Sequence, residues 1–154
     1  MEMKKPYFPL FVDLSEKKIL VVGAGKIATR RVEVLLDFAG SITVVAPKAT
    51  ERIRQLSREK KIRWIPGIYR KEMMGEADFV LAATDDDGCN ARIAKDCKVR
   101  KIPVNTCHEK ELCDFYFPGI LHRENLVMGF SSSGQDPRKA REIRKKAARI
   151  FDSY

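Results

Sequence analysis

Apolar positions along the chain fall into short continuous runs, separated by stretches with helical spacing. Lys18-Ile19-Leu20-Val21-Val22 is a β-rich run stopped by Gly23-Ala24-Gly25. Past the glycines, Ile27, Ala28, Val32, Val34, Leu35 and Leu36 supply the apolar face of a helix predicted to end near Gly40. Ser41-Ile42-Thr43-Val44-Val45-Ala46 reads as a second strand, closed by Pro47. Strand, helix and strand fit within about 30 residues, the size of a βαβ crossover. The alternation continues with a helix over 49–60, a strand over 62–65, a continuous apolar strand over 78–84, a helix over 87–100 and a strand over 102–106. The run at 78–84 has the character of a strand buried on both faces. Pro103 puts the last of these strands at a sheet edge or at its own start. Strands alternating with helices predict an α/β fold: a Rossmann-type parallel sheet with helices on both faces.

From Phe115 the pattern changes. Residues 115–121 and 126–130 read as consecutive strands with a polar turn and no helix between them. A helix follows from about Arg138, with Asp136 as its N-cap and Pro137 as its first residue. Ala140, Ile143, Ala147 and Ile150 form its apolar stripe, and Arg138, Lys139, Arg141, Arg144, Lys145 and Arg149 lie largely away from it. A hairpin and one helix cannot make a core alone; they must pack on their own domain or on a second copy. The expected organisation is a Rossmann domain over 1–113 and a dimerisation segment, short β-hairpin plus helix, over 114–154, in a homodimer.

A chain of 154 residues, 44 % hydrophobic, can bury one sizeable core without disulfide staples. No apolar run approaches the roughly 20 residues of a membrane span, and no signal-type segment follows Met1, so the expectation is a cytoplasmic protein without a membrane partner. Cys89, Cys97, Cys107 and Cys113 contain no Cys-x-x-Cys pair and read as free thiols. Cys107, His108, Cys113 and His122 match the spacing of no zinc module, so no metal is assigned. Lys and Arg outnumber Asp and Glu 30 to 21, a net charge of +9. Such a surplus suits an acidic partner, or is simply a basic soluble surface. Without an aromatic platform or a recognition motif, nucleic acid is not the expected partner.

Gly23-Ala24-Gly25-Lys26-Ile27-Ala28 is G-x-G-x-x-A between a strand and a helix. The first glycine makes the tight turn, the second lets backbone approach a pyrophosphate, and Ala28 permits close helix–strand packing. Phosphates would meet N–H groups at the positive end of a helix. The acid that usually ends the second strand of NAD-binding folds is missing; Ala46-Pro47-Lys48 stands there. Lys48 or Arg52 can receive a 2′-phosphate, which leaves NADP open beside NAD. Thr84, Asp85 and Asn105, at the carboxyl ends of their strands, lie where such sheets place ligands. Asp85-Asp86-Asp87 reads equally well as a helix cap and solvated turn.

Several motifs fall in one order: Tyr7-Phe8-Pro9-Leu10-Phe11-Val12-Asp13-Leu14, Val21-Val22-Gly23-Ala24-Gly25, Arg30-Arg31, Val44-Val45-Ala46-Pro47, Ala82-Ala83-Thr84-Asp85-Asp86, Asn105, Phe115, Phe117-Pro118, and Ser131-Ser132-Ser133-Gly134 before Pro137. In this the chain resembles the precorrin-2 dehydrogenase/sirohydrochlorin ferrochelatase family, the siroheme-synthase N-terminal module, over about residues 6 to 150. The resemblance implies a homodimer that binds NAD and oxidises precorrin-2 to sirohydrochlorin, with ferrous iron as a substrate where chelatase activity is present. It places Lys26, Ile27, Pro47 and Lys48 at the cofactor, and favours NAD despite the missing acid. The substrate it implies is a tetrapyrrole polycarboxylate, which the positive charge suits; Arg30, Arg31, Arg138 and Arg141 are candidate holders or ordinary helix surface. Ser132 corresponds to a serine of the family's active-site cleft, where it can bind a substrate carboxylate or cap the turn.

Two departures from the family pattern stand out. His108 occupies the position of a catalytic Asp, three residues after Asn105, with Glu109 beside it. An imidazole can serve as general base, as an iron ligand, or as a loop residue with neither role. The chain also ends soon after the first of the family's further helices, as a truncated or minimal version would. A second reading, from another class, is a non-catalytic dinucleotide-binding sensor domain. Such sensors keep the acid after the second strand and do not need the Phe117-Pro118 or Ser132-containing elements.

Overall fold

Residues 5–153 are described by a computed structural model. Five short strands pair in parallel: β1 (Lys18–Val22), β2 (Ser41–Val45), β3 (Arg63–Ile65), β4 (Phe79–Ala82) and β5 (Val104–Thr106). Their order in the sheet is β3-β2-β1-β4-β5. The register aligns Val22 with Val45 and Ala82, Val45 with Ile65, and Ala82 with Thr106. All five strands therefore end level, and the loops after them leave from one edge.

Three helices connect the strands: α1 (Lys26–Leu35), α2 (Glu51–Arg58) and α3 (Asp87–Arg100). From β1 the chain steps outward through α1 to β2, while from β4 it steps the opposite way through α3 to β5. Right-handed crossovers then put α1 and α2 on one face and α3 on the other. The packing agrees. Leu20, Val22, Val80, Ala82 and Val104 form one core cluster with Ile93, Ala94 and Cys97 of α3. Ile19 and Val21, alternating with them on β1, are buried outside that cluster. The expected Rossmann-type sheet is the observed one.

Local departures have physical causes. α1 ends at Leu35, short of Gly40. Gly40 instead permits a close passage, because a Cβ there would lie 2.6 Å from the Ser15 carbonyl oxygen. α2 is shorter than 49–60 because the Thr50 side chain accepts the Ile53 N–H and so starts the helix at Glu51. Short 3-10 turns at Lys71–Met74 and Lys110–Leu112 carry no period that a sequence pattern reveals. Phe115 lies outside any strand: its carbonyl accepts from Asn105 Nδ2 at 2.9 Å, and its ring meets Phe79 edge-on at 5.5 Å.

By its contacts the chain forms two units, one over 13–116 and a second joining 117–153 to the segment from residue 5 to 12. In the second unit β6 (Gly119–Arg123) and β7 (Leu126–Phe130) form an antiparallel hairpin, and α4 (Pro137–Phe151) packs on both strands. Asp136 caps α4 by accepting the Lys139 N–H at 2.9 Å, with Pro137 in the first turn. The Arg144 stem lies over Gly119, where a Cβ would sit 3.2 Å from its Cδ. The amide of Tyr7 donates to Ser133 Oγ at 2.9 Å, tying residues 5–12 into this unit.

Candidate functional site

The sheet changes direction between β1 and β4, and the level carboxyl ends of the strands make that point a crevice in which open α/β sheets bind ligands. Gly23 leaves β1 with φ +110°, which side-chain-bearing residues rarely adopt. A Cβ on it would stand 2.2 Å from the Ala83 carbonyl oxygen and 2.9 Å from the Thr84 nitrogen. Gly25 is different: its φ is −82°, and a Cβ there would meet nothing within 4 Å. Open space lies in front of it.

α1 begins at this opening. Its first intrahelical bond runs from the Thr29 N–H to the Gly25 carbonyl at 2.9 Å, so the amides of Lys26, Ile27 and Ala28 precede the ladder. Gly25 offers them no side-chain acceptor, and the first turn holds no acid. By contrast α2, α3 and α4 are each capped by a side chain, from Thr50, Asp86 and Asp136. Free amides, an open glycine face and the positive end of a helix fit a pyrophosphate. Gly23, Gly25, Lys26, Ile27 and Ala28 are therefore brought together as the motif requires, with Ala28 fully buried against the sheet.

The turn is braced from α2. Thr50 N–H donates to the Ala24 carbonyl at 3.1 Å, and the Thr29 and Thr50 hydroxyls lie 2.8 Å apart. Thr29 Oγ1 also donates to the Gly25 carbonyl at 2.7 Å. Neither threonine was singled out by the sequence, because their contact spans 21 residues and follows no period.

Pro47 and Lys48 are exposed after β2, at the level edge. The preceding Ala46 is pinned: its carbonyl accepts from Trp64 Nε1 at 3.1 Å and from the Gly67 N–H at 3.2 Å. Arg52, an alternative phosphate holder, pairs with Glu33 at 2.8 Å across α1 and α2. After β4, Thr84 is held by buried Asn90, whose Oδ1 accepts the Thr84 N–H at 3.1 Å and lies 2.7 Å from Thr84 Oγ1. Asp86 caps α3 by accepting the Cys89 N–H at 2.9 Å, and Asp87 opens its first turn. The cap reading of the acidic triplet is the observed one for these two residues, and Asp85 stays exposed.

Asn105 is buried, and both ends of its amide are engaged. Nδ2 donates to the Phe115 carbonyl, and Oδ1 accepts from Arg31 Nη1. Arg31 thus ties α1 to β5, while Arg30 stands exposed. His108 and Glu109 are exposed on the loop after β5; the Glu109 carbonyl accepts from Thr106 Oγ1 at 2.6 Å. Burial raises the Cys107 thiol above its ordinary range, with the Arg31 guanidinium pulling the other way. In the second unit Ser132 Oγ accepts the Asp136 N–H at 2.9 Å, closing the turn before α4. All four cysteines are free, and among the described residues no three His, Cys, Asp or Glu gather to hold a metal ion. No helix among them is long and apolar enough to cross a membrane.

Residues 10–119 match the family described as "Putative NAD(P)-binding". The chain belongs to this NAD(P)-binding family. It is 38 % identical over 140 residues to siroheme synthase 1 of Serratia proteamaculans, covering 91 % of this chain and 29 % of that protein. Siroheme synthase of Psychrobacter cryohalolentis is 39 % identical over 139 residues, 90 % of this chain and 27 % of the relative. The chain thus spans less than a third of these relatives. Among solved structures, SirC, precorrin-2 dehydrogenase, matches with a TM-score of 0.78 and 26 % identity, over 96 % of this chain and 71 % of that one. The turn described above lies inside the matched family region.

Proposed function

We propose that this chain oxidises precorrin-2 to sirohydrochlorin with NAD as acceptor. The observation that carries the reading is the open, uncapped turn at Gly25. It occurs in a chain that matches a precorrin-2 dehydrogenase along nearly its whole length. The reaction removes two electrons and two protons from the macrocycle. When bound, the nicotinamide supplies the two-electron acceptor. The protein's share is to hold and orient. Amides from Gly25 to Ala28 bind the pyrophosphate, Pro47 and Lys48 border the adenosine end, and Thr84, Asp85 and Asn105 border the nicotinamide end. His108, exposed on the loop after β5, accepts the proton that leaves the substrate. Arg30 and Arg31 are the substrate-carboxylate residues of this reading, with Arg31 acting while it holds Asn105; Ser132 is assigned to the substrate from the resemblance alone. NAD is taken as acceptor from the resemblance; Arg52 pairs with Glu33 while Lys48 stays exposed and open to a 2′-phosphate, so NADP is to be assayed beside NAD.

Residues 114–154 serve as the dimerisation segment. Support comes from apolar side chains that stay exposed in the second unit: Leu126, Ile143 and Ile150 at 58 %, 46 % and 59 %, and Phe8 at 87 %.

Turnover tests the proposal. Precorrin-2 and NAD with the purified chain should give the absorbance band of reduced nicotinamide. NAD binding without turnover would favour a sensor instead. His108→Ala should lower the oxidation rate by about 100-fold, the ordinary contribution of a general base. A parent-level rate in that variant removes His108 from the reaction.

A further inference from the structure

Two successive peptide planes of the glycine turn are gripped from behind. The Ala24 carbonyl accepts the Thr50 N–H at 3.1 Å, while the Gly25 carbonyl accepts the Thr29 N–H at 2.9 Å and the Thr29 hydroxyl at 2.7 Å. In a trans peptide the N–H points opposite to its carbonyl. Holding these two carbonyls therefore aims the amides of Gly25 and Lys26 away from the threonines. Gly25 has special need of such a hold, since it lacks a Cβ and nothing lies within 4 Å of where one would be.

The hydroxyl protons can be assigned. Thr50 Oγ1 accepts the Ile53 N–H at 3.3 Å and lies 2.8 Å from Thr29 Oγ1. Thr29 has one hydroxyl proton. Directed at Thr50, it would leave two bare oxygens facing each other at 2.7 Å across Thr29 and Gly25. The consistent chain runs from Ile53 N–H to Thr50, from the Thr50 hydroxyl to Thr29, and from the Thr29 hydroxyl to the Gly25 carbonyl. Thr29 is 9 % exposed, so water competes little for these bonds.

We infer that Thr29 and Thr50 are positioning residues for the dinucleotide, acting through the Gly25 and Ala24 carbonyls to keep the Gly25 and Lys26 amides aimed at the pyrophosphate. This rests on reading the turn as the dinucleotide site. Preorganised amides bind without first being ordered, so the effect belongs in affinity.

Thr29→Val is the informative variant, because it removes the donor to Gly25 and leaves Thr50 in place to cap α2. In calorimetry its Kd for NAD should rise about three- to tenfold, the factor given by losing one hydrogen bond of ordinary net strength. Thr50→Val keeps the main-chain bond to Ala24 and the Thr29 bond to Gly25 but removes the donor that orients the Thr29 hydroxyl, so its Kd should rise by no more than that of Thr29→Val. Thr29→Ser should bind within about twofold of the parent, and the double valine variant should bind no worse than the weaker single one within about twofold, as for residues acting in series. In the ligand-free protein, the amide 1H–15N shifts of Gly25 and Lys26 should move in Thr29→Val and return in Thr29→Ser. Parent-level NAD affinity in both valine variants, or multiplied losses in the double one, overturns the inference. A parent that binds no nicotinamide dinucleotide refutes the site itself, whereas unmoved ligand-free shifts refute the bracing alone.

Discussion

Gly23 and Ala83 bring the ends of β1 and β4 into backbone contact: a Cβ on Gly23 would lie 2.2 Å from the Ala83 carbonyl oxygen. Two positions away, Gly25 faces open space. One motif therefore contains a glycine required by the fold and a glycine that serves the ligand in the proposed reading, and substitution separates them. Gly23→Ala should cost about 2–4 kcal/mol of stability through clash and positive-φ strain. Gly25→Ala should stay within about 1 kcal/mol of the parent, while its methyl weakens NAD binding by at least tenfold, about 1.4 kcal/mol. Urea unfolding and calorimetry on the same samples measure both. Equal destabilisation in the two variants would contradict the distinction.

Asn90 should be as sensitive as the glycine turn, although it touches no ligand in this account. Its amide accepts from the Thr84 N–H and hydroxyl and donates to the Thr84 carbonyl at 3.1 Å. Asn90→Ala strands the half-buried Thr84 groups, at a cost of about 1–3 kcal/mol. Chemical denaturation reads the loss directly; a neutral substitution would show that the loop after β4 does not depend on Asn90.

The fold was legible wherever local patterning decides it. The spans of β1, β7 and α3, and the Asp136–Pro137 start of α4, follow from apolar runs and cap residues alone. The glycine motif likewise announced its turn. Contacts between residues distant in sequence left no such trace. The Thr29–Thr50 pair, the Arg31–Asn105 tie and the Tyr7–Ser133 bond join residues 21, 74 and 126 apart, and no period of 2 or 3.6 records them. The strand expected from Phe115 failed for the same reason, since Asn105 claims the Phe115 carbonyl from across the fold.

Stability should fall in alkali through two buried acids. Burial pushes the Cys97 thiol from its ordinary 9.0 up to about 12. Burial, followed by the hydrogen bond to Asp96, raises Tyr69 above its ordinary 10.0. Above pH 9.0 the unfolded thiol loses its proton while the folded one keeps it, so the unfolded chain binds fewer protons and stability declines. Each such group contributes a slope of about 1.4 kcal/mol per pH unit between its unfolded and folded values. Urea midpoints should be steady up to about pH 8 on account of these groups and drop beyond pH 9. Cys97→Ala should flatten the first part of the decline; an unchanged slope in that variant would remove Cys97 as its cause.

The second unit predicts self-association. Ile143→Asp with Ile150→Asp should convert a dimer to the 17.6 kDa single chain in sedimentation, with NAD affinity retained. A parent that already sediments as a single chain contradicts the proposed role of residues 114–154.

The most direct test of the central claim follows NAD into a 15N-labelled sample residue by residue. The amides of Gly25, Lys26, Ile27 and Ala28 should show the largest saturable shifts, with Thr84 and Lys48 following and Arg58 of α2 unmoved. A well-folded sample whose Gly25–Ala28 amides stay in place at saturating NAD would contradict it.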